Sequence, residues 1–148
     1  MLRKAIISDL NTITQLAILL WPDNEFDDLR QEMKELILDK EAVFFLYFDN
    51  DIPVGFAQCQ LRHNYVEGTD SSPVGYLEGV FVMENYRNKG IATQLLQHCE
   101  LWSKENACTE FASDCEISNA ESYVFHMKFG FQEANRIICF KKDITLQS

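Results

Sequence analysis

Long apolar runs are missing from this chain of 148 residues, and no segment approaches the ~20 that a membrane-spanning helix needs. The N-terminus, Met1 to Asp9, carries charge without an apolar core of signal-peptide length, so a cytoplasmic location without a membrane partner is expected. Basic residues are scarce: 13 Lys and Arg against 23 Asp and Glu leave a formal charge of −10, which argues against nucleic acid and favours cationic ligands. Histidine is rarer still, at three. The five cysteines, Cys59, Cys99, Cys108, Cys115 and Cys139, never stand as C-x-x-C and have no histidine at ligand spacing. No metal is expected from them, and small buried thiols are the better reading. The six glycines fit neither the Walker pattern nor G-x-G-x-x-G, which removes two familiar phosphate loops.

What is present centres on Tyr76 to Thr93. Tyr76 to Val82 reads as a buried strand, and a helix opens at Gly90 with Ile91, Leu95, Cys99 and Trp102 on one apolar face. Between them lies Arg87-Asn88-Lys89-Gly90-Ile91-Ala92. The first turn of a helix leaves backbone N–H groups unpaired at the positive end of the dipole, and glycine lets an anion approach them. Arg87 and Lys89 add donors, so phosphate is the expected ligand.

Along the rest of the chain, Leu2 to Ile6 is a candidate strand, and Ser8 a candidate cap for a helix over Asp9 to Leu20 that Trp21-Pro22 ends. A second helix is expected over Phe26 to Leu38, burying Leu29, Met33, Leu36 and Ile37. Ala42 to Phe48 and Ile52 to Arg62 form a hairpin around Asn50-Asp51, and His63 to Pro73 is a long loop. Glu110 to Asp114 is a short strand, Asn119 to Lys128 a helix closed by Gly130, and Phe131 to Glu133 and Arg136 to Lys142 two final strands. The order implies one α/β (α+β) domain over residues 1–148, a mixed central sheet with helices on both faces.

The loop Arg87-x-x-Gly90-x-Ala92, between a hydrophobic strand and an amphipathic helix, resembles the Arg/Gln-x-x-Gly-x-Gly/Ala loop of the GNAT superfamily of N-acetyltransferases, and Phe129-Gly130-Phe131 is a second landmark. Trp21-Pro22, Arg62 to Gly68, Asp70 to Pro73, Leu77 to Val82, Ala112-Ser113-Asp114 and His126 are together similar to the aminoglycoside 6′-N-acetyltransferases, in order and spacing over nearly the whole chain. The resemblance implies the GNAT acyl-CoA N-acyltransferase fold, a homodimer, and transfer of acetyl from acetyl-CoA to the 6′-amine of an aminoglycoside. It implies that the backbone of Val80, Phe81 and Val82 pairs with the pantetheine arm, N–H groups near Val80 polarising the thioester carbonyl. Arg87 belongs to the cofactor loop, in which Asn88, Lys89, Gly90, Ile91, Ala92 and Thr93 hold the pyrophosphate. It also implies an acceptor pocket of Trp21, Tyr65, Glu78, Asp114 and Asn119, with Asn135 at a place where relatives carry an acid.

Chemistry asks for such groups independently. An amine must lose a proton to attack a thioester, and a carboxylate can take it. A period of two puts Glu78 on one face with Val80 and Val82, where desolvation raises its pKa; pairing with Arg62 or pointing to solvent are the other readings. Asp114 ends a strand, as an ammonium ligand, a second base or a loop charge. Where many GNAT members place a tyrosine that protonates the leaving thiolate, this chain has His126, with Tyr123 about one turn away. Histidine, tyrosine, solvent and a purely structural histidine all stay open there. Another amine, such as a polyamine or a peptide N-terminus, and a CoA-binding module without turnover are the competing functions.

Overall fold

The computed structural model describes residues 1–145 and divides into two compact units, Met1–Asp114 and the segment from Cys115 onward. In the first unit β1 (Leu2–Lys4), β2 (Ala42–Asp49), β3 (Ile52–Arg62), β4 (Val74–Val82) and β5 (Phe111–Ala112) form one sheet in chain order. Every neighbouring pair is antiparallel except β4 and β5, which run parallel. α1 (Leu10–Leu20) and α2 (Phe26–Leu38) cover one face, and α3 (Ile91–Glu105) packs on β2, β3 and β4 from the other.

The elements form where apolar periodicity can be buried. Ile13, Leu16 and Ala17 of α1 meet Leu29 and Met33 of α2 over Phe44, Leu46 and Phe56 of the sheet. Leu36 and Ile37 pack against that cluster at its margin. On the opposite face α3 buries Ile91, Leu95, Leu96 and Cys99, while Ser103 takes the fully buried place and Trp102 is only partly covered. Ser103 fits because Gly75 offers no Cβ: one built there would stand 2.0 Å from the serine Oγ.

Three expectations need correction, two of them in this unit. Ser8 does not cap α1; Asp9 is the buried acid, accepting the Ile6 N–H at 2.8 Å and a two-pronged bond from Arg3 at 2.7 and 2.9 Å. That guanidinium holds the Asp9 carboxyl below its ordinary range. The strand read as Glu110 to Asp114 shrinks to Phe111–Ala112, because Glu110 turns away to anchor the preceding long loop through the Asp70 N–H and the Ser71 hydroxyl. The thiols divide as well: Cys59, Cys99 and Cys108 are buried, whereas Cys115 and Cys139 are exposed.

The second unit contains α4 (Ala120–Phe129), capped by the Asn119 side chain, which accepts from the Ser122 N–H at 3.0 Å. Gly130 closes it with φ 113°, a left-handed geometry that glycine adopts without penalty. Phe131 to Glu133 and Arg136 to Lys142, expected as strands, are not strands among the described residues. A strand needs a neighbour for its backbone groups. Here the Arg136 N–H instead bonds the Asn135 side chain at 2.8 Å, and Arg136 pairs with Glu133. Ile137, Ile138 and Phe140 are left exposed, Phe140 to 90%.

Candidate active site

A β-bulge shapes the centre of the first unit. Along the β3–β4 ladder Gln58 faces Gly79 and Cys59 faces Leu77, so Glu78 has no register partner. Bulges commonly re-aim a side chain beside an active site. Consecutive residues Glu78 and Gly79 therefore both look toward α1: Glu78 lines a cleft with Trp21 and Gln58, and a Cβ on Gly79 would stand 2.6 Å from the Trp21 ring. Phe81, two residues on, packs against the α1–α2 cluster, while Val82 turns toward Leu95 of α3. The expectation that Glu78 shares a face with Val80 and Val82 is thus wrong, because the extra residue resets the alternation.

The cleft has a volume of about 230 Å³ and is lined by Trp21, Asn24, Leu29, Glu32, Gln58, Gln60 and Glu78. Trp21 closes α1, its N–H bonded to the Ala17 carbonyl at 2.8 Å, and its ring meets Phe56 edge-on at 6.2 Å between centroids. A polar cleft with two carboxylates at its wall is suited to a cationic, hydroxyl-bearing guest.

Glu78 is largely buried and is held by Arg62, which donates through Nε at 2.9 Å and Nη2 at 2.8 Å. Burial pushes its carboxyl above the ordinary range; Arg62 opposes this, and the charge of Asp114 adds to it. Both alternatives read from the sequence thus hold together, since Glu78 pairs with Arg62 and still reaches the cleft. Each carboxylate oxygen has a second lone pair beyond the one Arg62 uses. The Arg62 guanidinium lies 3.5 Å above the Tyr76 ring, and the Tyr76 hydroxyl donates to Asp114. Burial and that carboxylate keep the Tyr76 phenol protonated far above its usual range. Arg62 and Tyr76 are thus the links between the two candidate acids. The sequence signal for Tyr76 was faint, a strand tyrosine two residues before Glu78.

The structure does not bring every expected residue to this place. Tyr65 is 77% exposed on the long loop, its hydroxyl 3.4 Å from Glu67, and it does not line the cleft. Asn119, His126 and Asn135 lie in the second unit. There His126 Nδ1 donates to the Ser122 carbonyl at 2.7 Å and the ring sits against Phe131, 5.1 Å between centroids. The Tyr123 hydroxyl lies 3.3 Å from Glu133.

The anion loop has the geometry its composition suggests. Asn88 (φ 63°) and Gly90 (φ 83°) are left-handed, α3 starts directly after Gly90, and a Cβ on Gly90 would meet nothing within 4 Å. The backbone there is open to a phosphate-sized group, so the residues present fit a pyrophosphate. Arg87 differs from a free anion ligand: its Nε donates to the Val82 carbonyl at 2.8 Å, bracing the loop against β4. β4 pairs with β5 only through Gly75 and Tyr76, so from Leu77 to Val82 that edge has no strand partner among the described residues. An extended ligand can add there by main-chain hydrogen bonds.

A mixed sheet whose β4 edge is unpaired after Tyr76, an open helix N-terminus following that strand and a desolvated carboxylate at the bulge are the parts of an acyl-transfer site. The chain belongs to the acetyltransferase (GNAT) family, whose model matches residues 10–131. It is 44% identical to an aminoglycoside N(6′)-acetyltransferase type 1 of Acinetobacter baumannii over 93% of this chain and 94% of that protein. A counterpart from Acinetobacter haemolyticus is 37% identical over 97% and 98% of the two chains. Among solved structures, AAC(6′)-Iy in complex with the bisubstrate analogue CoA-S-monomethyl-acetylneamine superposes with a TM-score of 0.93 at 33% identity, covering 97% of this chain and 98% of that one.

Proposed function

We propose that this chain transfers the acetyl group of acetyl-CoA to the 6′-amino group of aminoglycosides. The observation that carries the reading is the cleft itself: a desolvated Glu78 beside Trp21, at the point where β4 loses its neighbour. The likeness to aminoglycoside acetyltransferases over nearly the full length supports the substrate.

Acetyl-CoA supplies an acyl thioester when bound. The open edge of Val80, Phe81 and Val82 orients its arm, and the N–H groups from Asn88 to Thr93 hold its pyrophosphate. Glu78 takes the proton that the attacking amine loses as the C–N bond forms and the C–S bond breaks, through a lone pair that Arg62 leaves open. Its raised pKa makes it a stronger base than an ordinary surface carboxylate. Asp114 holds a substrate ammonium, and its charge tunes Glu78. Trp21 gives the sugar ring a flat face. His126 returns a proton to the leaving thiolate, with Tyr123 and solvent as the competing donors. The whole chain acts as one domain in a cytoplasmic homodimer, and the exposed Ile137, Ile138 and Phe140 support the dimer.

Release of free CoA thiol against a panel tests the reading: a 6′-amino aminoglycoside, its 6′-hydroxyl counterpart, spermidine and a short peptide. Turnover confined to the 6′-amine is expected. Turnover with spermidine or peptide alone keeps the mechanism and discards the substrate.

A further inference from the structure

Gln58 is a cleft residue whose chemistry acetyl transfer does not use. It stands in mid-β3 between Ala57 and Cys59, both fully buried, and is itself only 4% exposed. Its Nε2 donates to Gln60 Oε1 at 2.9 Å, which uses one of the amide's two N–H donors. The other end, Oε1, is buried and has no hydrogen-bond partner among the described residues. The side chain forms part of the cleft wall with Trp21, Glu32 and Glu78.

A buried carbonyl left unpaired is unfavourable, and each such group in a folded protein calls for a partner from outside the chain. The surroundings specify what kind. Two carboxylates and an amide oxygen lining one cleft present acceptors, so the matching guest is rich in donors. About 230 Å³ exceeds the share of several waters and suits a sugar ring. Gln58 also faces Gly79 across the ladder, immediately beside the bulge that carries Glu78, which places its amide next to the proposed base.

We infer that Gln58 Oε1 accepts a hydrogen bond from a hydroxyl or ammonium on the ring that bears the reacting amine, and so selects acceptors with a donor at that position. This rests on the aminoglycoside reading. Gln58 contributes binding and orientation, and takes no proton in the reaction.

The test uses the full chain, wild type and Gln58→Leu, with Gln58→Met as a second variant should leucine disturb folding. Acceptor KM, kcat, CoA affinity and Tm are measured with a 6′-amino aminoglycoside and with analogues each lacking one hydroxyl or amino group of that ring. Removing the acceptor oxygen should raise acceptor KM about 10-fold while kcat stays within about twofold, because one hydrogen bond to the bound ring is lost. CoA affinity should not change, and Tm should hold or rise, since an unpaired buried group is gone. One of the deoxy or deamino analogues should cost the wild type about 10-fold and the variants nothing further, the signature of a direct pair. Wild-type KM values in both variants, or an analogue series that penalises variants and wild type alike, overturn the inference while leaving the function intact. A wild type that acetylates no aminoglycoside instead removes the functional reading and this inference with it.

Discussion

The anion loop and the acceptor cleft share strand β4, yet they are made in opposite ways. The loop is contiguous: Asn88 and Gly90 turn left-handed and α3 begins at once, so its working groups are backbone N–H donors from neighbouring residues. The cleft is dispersed: Trp21 ends α1, Gln58 sits in β3, Glu78 occupies a bulge in β4 and Glu32 belongs to α2. A backbone site survives most side-chain changes and fails when local φ and ψ change. A side-chain site fails when one group is replaced, or when the packing beneath it moves.

The largest effect expected from breaking the cleft alone is that of Glu78→Gln, which should lower kcat by about 10²-fold or more as general base catalysis is lost, with CoA binding unchanged. Steady-state kinetics beside calorimetric CoA binding separate the two. In the loop, Gly90→Val should weaken CoA binding by about 10-fold or more, since a β-branched residue at φ 83° is strained and crowds the anion. Its acceptor KM, measured at saturating acetyl-CoA, should be nearly that of the wild type. Gly79→Ala probes the packing beneath the cleft: a Cβ 2.6 Å from Trp21 displaces the ring, for a loss of about 1–3 kcal/mol in denaturant unfolding and a several-fold rise in acceptor KM. The smallest change sharpens the electrostatics. Glu78 must be deprotonated to act, so kcat falls as pH drops through its raised pKa, above the ordinary 4.5. Asp114→Asn removes a negative charge that raises that pKa, so the acid limb of the kcat profile should move to lower pH while acceptor KM rises. A limb that stays in place would show that Asp114 does not tune Glu78.

The same contrast explains what could be read from residues in order. The β2–β3 hairpin, both front helices and the loop before α3 were legible because each rests on periodicity or turn chemistry within about 15 residues. Glu78 is the base that the sequence leads one to expect, but the face it takes does not follow from the sequence, because an extra residue in a ladder is invisible until both strands are aligned. Gln58 carried no motif; an amide between buried Ala57 and Cys59 was the available signal, and it becomes informative only once its burial is known. The C-terminal strands failed for a related reason: the apolar run from Ile137 to Phe140 expresses a tendency to pair, and pairing requires a neighbour.

By itself the sequence determined the layered α/β class, the anion loop and the family, since these depend on local patterns and on order along the chain. Tertiary structure alone decided which face Glu78 takes, that Arg62 and Tyr76 tie it to Asp114, and that Gln58 turns an unpaired oxygen into the cleft. Ladder register and burial join residues as distant as Trp21 and Glu78, and the energy of a buried polar group depends on those neighbours rather than on the residues beside it in the chain.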